Sequence, residues 1–278
     1  MPDKTALADQ QKLVALIDEL TPDARTTALK RAEEIGLLPS NKTTTAEAYE
    51  KKGEYASAAK IWLQLDNKDR VAACAEAYEK GGWYANAAEI WLQLDNKDRA
   101  ALCAEAYEKK GEYTVAAEIW LQLDKKEKAA KAYEKRGWNA SAAEIWLQLD
   151  KKEKAAEAYE KGGLYSNAAE IWLQLDKKEK AAKAYEKRGW YTAAAKIWLQ
   201  LDNKDRVVVC AEVCEKKEEY ASAAEIWLQL DNKVKAAEAY EKGRRYTDAA
   251  TIYKMLGNAR KEAALVELAA LLRDQNKS

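Results

Sequence analysis

Histidine and phenylalanine are absent from this 278-residue chain, and it has three prolines and two methionines. The missing histidine removes the commonest general base and the commonest metal ligand together. No glycine-rich phosphate loop, nucleophile elbow or metal-binding run stands in for it, so neither catalysis nor a cofactor is expected. Charge of one sign is also lacking: 47 basic residues balance 47 acidic ones. Phosphate neutralisation needs a basic stripe, which disfavours nucleic acid as a partner. No apolar stretch approaches the ~18 residues of a membrane helix. The opening Met-Pro-Asp-Lys-Thr has neither the basic nor the apolar part of a secretory signal. A cytoplasmic location with no membrane partner is the expectation.

What the chain has is repetition. A tyrosine-like position is followed thirteen residues later by a tryptophan-like one, in the pairs Tyr49/Trp62, Tyr78/Trp91, Tyr107/Trp120, Tyr133/Trp146, Tyr159/Trp172, Tyr185/Trp198, Cys214/Trp227 and Tyr240/Tyr253. Self-similarity at such a period marks a stacked array in which each unit packs on its neighbours, and this lets a long chain escape the limits of a single core. Successive Trp-like positions lie 29 or 26 residues apart, and the difference falls between one Trp and the next Tyr. Three residues are nearly one helical turn, so the long repeats should carry a first helix longer by about 4.5 Å.

Within a unit, Asp124 and Glu127, like Asp66 and Asp69, have the spacing of a capping-box start. The first helix then runs through Ala129, Ala130, Ala132 and Tyr133 to Gly137, a residue suited to the left-handed position that ends helices. The second carries Ala142, Ile145, Trp146 and Leu149 on one stripe, after which Asp150 is expected to cap the next helix. Glu76 with Lys80 and Glu157 with Lys161 are spaced as surface i, i+4 pairs. Cys74, Cys103 and Cys210 share one repeat position and Cys214 fills a Tyr slot, which reads as buried packing. Cys210 and Cys214 lie four apart and could share a metal or oxidise, but no further ligand accompanies them.

Ala46, Tyr49, Gly53, Tyr55, Ala58 and Trp62, and the same set in the following units, resemble the tetratricopeptide repeat, with coverage of roughly residues 40 to 257. The units are shorter than that family's and lack its closing proline, and they are also similar to the short hairpins of clathrin-type and coat-protein solenoids. The resemblance implies an all-α, right-handed α-solenoid of about eight antiparallel helix pairs. Three parts are expected: an N-terminal helical cap over 1–39, the repeats over 40–257, and a C-terminal capping helix with tail over 258–278. Leu7, Leu13, Val14, Ile17 and Leu20 belong to the first cap, whose second helix, 22–35, is stopped by Gly36 and Pro39. The last helix, 258–273, carries Leu265, Val266, Leu268, Leu271 and Leu272. Caps with a polar outer face are what an array needs for solubility. Glu218 and Arg244 replace the turn glycine, so those turns are expected to bend differently.

The resemblance also implies a binding role, with first helices forming a wall that holds a peptide or partner protein. Mapped onto this chain, that wall shows Glu76 and Lys80, Glu105 and Lys109, and Lys131 and Lys135, with Glu79, Glu108 and Glu134 between them. The balanced charge there lacks the basic carboxylate clamp of chaperone-binding members. The variable residue after the turn glycine is apolar in four units, as Trp83, Trp138, Leu164 and Trp190. These form a candidate docking row, since aromatics dominate interface hot spots. Alternatively, they pack along the next unit's helix. The functional expectation is a protein or peptide scaffold, monomeric or weakly self-associating. The alternative is an engineered, consensus-like array with no evolved ligand, suggested by near-identical units.

Overall fold

The computed structural model describes residues 12–35, 37 and 41–275, and its described regular elements are all helices. The expected Leu7, Gly36 and Pro39 lie outside the described residues. By contacts the chain divides into two units, Met1–Ala132 and Tyr133–Ser278.

In the first unit, α1 (residues 12–18) and α2 (Pro22–Glu34) share a small core in which Ile17 and Ala32 are buried against Leu13, Ala28 and Leu29. Val14 and Leu20 face outward. Helix pairs follow: α3 (Asn41–Lys51) with α4 (Tyr55–Gln64), α5 (Lys68–Lys80) with α6 (Tyr84–Gln93), and α7 (Lys97–Lys110) with α8 (Tyr113–Gln122). Each helix from α3 to α7 packs on its successor, and the second helices α4, α6 and α8 touch in series. This is the all-α tandem packing of an α-solenoid.

The second unit begins within α9 (Lys126–Arg136). It continues through α10 (Asn139–Gln148), α11 (Lys152–Lys161), α12 (Tyr165–Gln174), α13 (Lys178–Arg188) and α14 (Tyr191–Gln200). Then come α15 (Lys204–Lys216), α16 (Tyr220–Gln229), α17 (Lys233–Lys242), α18 (Tyr246–Met255) and α19 (Ala259–Gln275). From α10 onward each again packs on its successor. The extra turn of the long repeats is where expected: α5, α7 and α15 have 13, 14 and 13 residues, against 10 or 11 for α9, α11, α13 and α17.

Two stripes make the core. The paired alanines of each second helix, such as Ala142 and Ala143, are buried and let backbones approach closely, while the tryptophan within each second helix from α4 to α16 supplies contact area and is also buried. Hydroxyls tie units together: Tyr78 Oη accepts from the Ala56 amide and Tyr107 Oη from the Ala85 amide, both at 3.2 Å. Those amides are orphan donors at the start of α4 and α6, whose own N-cap residues provide no side-chain acceptor.

The turns correct two expectations. Asp66, Asp95, Asp124, Asp150, Asp176, Asp202 and Asp231 do not cap the following helix; all lie at φ between 50° and 54°, in the left-handed position that ends the preceding one. The Asn67 amide reaches back to the Trp62 carbonyl at 2.9 Å and the Asp66 amide to Leu63 at 3.1 Å, which is the Schellman pattern. Aspartate is tolerated there because its short polar side chain eases the left-handed conformation, and Gly257 takes the same place after α18 at φ 69°. The cap falls one residue later: Asn67 Oδ1 accepts from the Arg70 amide at 3.2 Å, whereas Lys177 at that position in a short repeat makes no side-chain cap.

Glu218 and Arg244 do not bend their turns differently either. They sit at φ 62° and 58°, and the following amides return to Cys214 and Tyr240 as in the glycine turns. A non-glycine residue there costs about 1–2 kcal/mol. Replacing Glu218 or Arg244 by glycine is thus expected to raise stability by about 0.5–1 kcal/mol, read as a shift in urea midpoint.

The last helix departs from the capping expectation. Asn258 caps α19 through its Oδ1 and the Lys261 amide (3.2 Å), but the helix is apolar on more than one side. Packing one face on α18 leaves Val266 and Leu271 more than half exposed. Its exposed side mixes these apolar residues with Arg260, Glu267 and Arg273.

Candidate interaction groove

A chemical node recurs in every tryptophan-bearing repeat. The indole N–H of Trp62, Trp91, Trp120, Trp146, Trp172, Trp198 and Trp227 donates to a glutamate Oε1 twelve residues earlier, from Glu50 to Glu215, at 2.7–2.9 Å. Of these glutamates, Glu79, Glu108 and Glu134 were expected on the wall; burial of the indole makes them its acceptors as well. Each ring also lies beneath a cation from the following repeat. In short repeats it is a lysine, with Lys128, Lys154, Lys180 and Lys235 at 4.1–4.6 Å from the ring centroid. In long repeats it is Arg70, Arg99 or Arg206, at 4.6–5.4 Å.

The arginines bring a second partner. Arg99 Nη2 donates to Glu79 Oε2 at 2.5 Å, Arg70 and Arg206 pair likewise with Glu50 and Glu186, and a thiol completes each set. Cys74, Cys103 and Cys210 point Sγ at the same carboxylates at 3.5–3.6 Å. Burial, reinforced by the adjacent carboxylate, pushes these three thiols up to about 12, and burial takes Cys214 to about 11. The cysteines are buried as expected, and the described residues hold no group of three or more ligands able to bind a metal. A thiolate is therefore scarce near neutrality. The folded chain should resist a disulfide reagent at pH 8 and react fully in urea. Because folding raises these values above the ~9 of a free thiol, their stabilisation is complete below pH 9 and lost as pH climbs toward 12.

The turn row is locally anchored and half open. Trp138 stacks on Tyr133 and Trp190 on Tyr185, both at 5.8 Å between centroids and within 20° of parallel. Each is the residue whose amide bonds back to that tyrosine's carbonyl, so the stacking is the apolar contact of the Schellman turn rather than packing along the next unit. Trp83 closes its turn on the Tyr78 carbonyl, and Leu164 does so on Tyr159. All four remain exposed, from 39% at Leu164 to 64% at Trp83. Trp138, Leu164 and Trp190 occupy consecutive pairs of the second unit.

Of the expected wall, Lys80, Lys109, Lys131 and Lys135 are exposed. Glu76 and Glu105 reach across to the next repeat, to Arg99 (3.8 Å) and Lys128 (3.3 Å). Lys161 likewise pairs with Glu134 at 3.6 Å, so these groups link neighbouring repeats rather than turns of one helix.

These wall positions do line a groove, but in other repeats. It lies along α11, α13 and α15 of the second unit with a volume of about 1000 Å³. Glu157, Lys161, Lys183 and Lys187 stand at the repeat positions of Glu76, Lys80, Lys131 and Lys135. Its far side is apolar: Val209 and Val213 project from α15, with Cys210 beside them. In the other repeats the Val213 position is alanine, as at Ala77, Ala106, Ala132 and Ala158. The groove falls where two short repeats meet a long one. Arg206 is also distinctive, since its Nε is shielded and has no hydrogen-bond partner, while those of Arg70 and Arg99 donate to Glu50 (3.3 Å) and Glu79 (3.4 Å).

Sequence reading had a signal for the node, since glutamate follows the Tyr slot in each of these repeats, and arginine and cysteine travel together in the long ones. The linear pattern shows the departure at Val213 but not the groove it lines, because the walls come from three first helices. None of the helices among the described residues is long and apolar enough to cross a membrane. No family model and no curated protein matches the chain. Among solved structures, the crystal structure of BtubC (BKLC) from P. vanneervenii is similar at 18% identity over 97% of this chain and 92% of that one, with a TM-score of 0.13, a superposition too loose to transfer a property.

Proposed function

We propose that this chain is a tetratricopeptide-like protein-interaction scaffold, without catalytic activity, that holds a peptide segment of a partner along α11, α13 and α15. The observation that carries this reading is where the repeats depart from one another. Most positions of the units are near-identical because the packing node demands it, yet Val213 replaces the alanine of every other repeat on the groove wall, and beside it Val209 stands where short repeats carry a lysine and the other long ones Ala73 or Leu102. A consensus-like array with no ligand has no reason to set two valines one turn apart on that wall. A channel of about 1000 Å³ with one apolar side and several polar groups has the make-up of a binding site. The thiols, held far above neutrality, support a structural rather than nucleophilic role for cysteine.

The test compares capture from a lysate of the source organism by the immobilised full chain and by a Lys183→Glu, Val213→Glu variant with an unchanged circular dichroism spectrum. A protein retained by the first and lost by the second is the expected result. Identical captured sets would refute the groove as the interaction surface.

A further inference from the structure

We infer that the groove over α11, α13 and α15 selects an acidic segment carrying aliphatic side chains, a proposal that rests on the interaction reading above and specifies its ligand. Five cations and three carboxylates line it. Two of those carboxylates are already committed: Glu160 accepts from Trp172 Nε1 (2.8 Å) and Lys187 (3.0 Å), and Glu186 accepts from Trp198 Nε1 (2.7 Å) and pairs with Arg206. Only Glu157 among the lining acids is outside that node.

The cations are less firmly engaged. Lys183 pairs with Glu179 (2.6 Å) and Lys161 with Glu134 (3.6 Å), through side chains that are more than half exposed on the lysine side. Exposed pairs of this kind are weakly held and can exchange partners. The groove thus presents exchangeable positive charge over a fixed negative layer, which complements carboxylates. The unsatisfied Arg206 Nε adds a donor that a carboxylate can claim once the guanidinium turns toward the channel.

The apolar requirement comes from α15. Val209 is 41% exposed and Val213 is partly exposed, one turn apart on the groove side, and Tyr191 lines the same channel. β-Branched side chains facing water at two successive turns gain by meeting aliphatic groups. Four of the five positive groups lie on α11 and α13 and the two valines on α15, so most of the charge and the aliphatic surface come from different helices. A segment with acids along one side and leucine-like residues along the other satisfies both. A basic segment would meet the lysines unfavourably.

Three short fluorescein-labelled peptides test this by anisotropy with the full chain: one of glutamate and leucine with acids and leucines on opposite sides, a twin with lysine for glutamate, and a twin with serine for leucine. The first should bind at least about tenfold more tightly than either twin and weaken as salt rises. Val209→Ala with Val213→Ala installs the residues of the second repeat, Ala73 and Ala77, so folding is preserved, and it should lower affinity for the first peptide about tenfold. Lys161→Glu with Lys183→Glu should do the same. Equal binding of the three peptides, no binding of the first, or binding indifferent to both pairs of substitutions overturns the ligand class. In that event groove-dependent capture from the lysate would still uphold the interaction reading, so the two failures are distinguishable.

Discussion

Trp146→Ala is expected to cost about 3–5 kcal/mol, read by urea unfolding followed by circular dichroism. The ring is 1% exposed, and a side chain of this size buries some 150–250 Å². At about 25 cal/mol per Å² this amounts to several kcal/mol before the cavity left behind is counted. Its loss also removes the donor to Glu134 and the face beneath Lys154. The carboxylate stays partly open to water, so its loss of a partner adds little. An interior repeat supports neighbours on both sides, and destabilisation here should spread to them as extra amide exchange in α11 and α12. A near-neutral result would contradict the core placement of the ring.

Glu186→Ala is expected to cost about 2–3 kcal/mol, an outsized effect for a residue of surface type. Its carboxylate serves three groups at once: the Trp198 indole, the Arg206 guanidinium and the Cys210 thiol. Alanine leaves the buried indole N–H without an acceptor, which alone costs about 1–3 kcal/mol. The arginine is 41% exposed and recovers water in part, so its contribution stays small. Glu186→Gln separates the effects, since it keeps an acceptor for the indole while removing the charge that holds Arg206. A loss of about 1 kcal/mol is expected from it. If both variants cost the same, the indole bond is not what anchors this repeat. In Glu186→Ala the Cys210 thiol should also become more acidic, because the carboxylate that helps to raise it is gone.

Much of the architecture was legible. The fixed Tyr-to-Trp interval spans one hairpin turn, and the variable interval proved to be one helical turn of first helix, as α5, α7 and α15 show. The expectation that Asp124 and Asp150 start helices failed because aspartate suits two places. Beside a helix start it caps amides, and after a helix end it adopts the left-handed conformation. Only the backbone geometry distinguishes them, though Gly257 in the same column was a clue. The second duty of the wall glutamates was not legible for a related reason: Glu134 and Lys135 are adjacent in sequence, yet one turns in toward Trp146 and the other stays exposed.

The sequence by itself determined the repeat, its two lengths, the aromatic and alanine core and the burial of the cysteines, because periodic packing writes the same residues at the same intervals. Tertiary structure alone decided which glutamates are acceptors, that Trp138 and Trp190 stack on their own hairpin, and that a groove of about 1000 Å³ lies over α11, α13 and α15. Those features join side chains from different turns and different repeats, where a small change in direction exchanges a solvent-facing charge for a buried hydrogen bond. Val209 and Val213 are neighbours on α15 by helix geometry alone, but only its packing with the shorter repeats turns them into one wall of a groove.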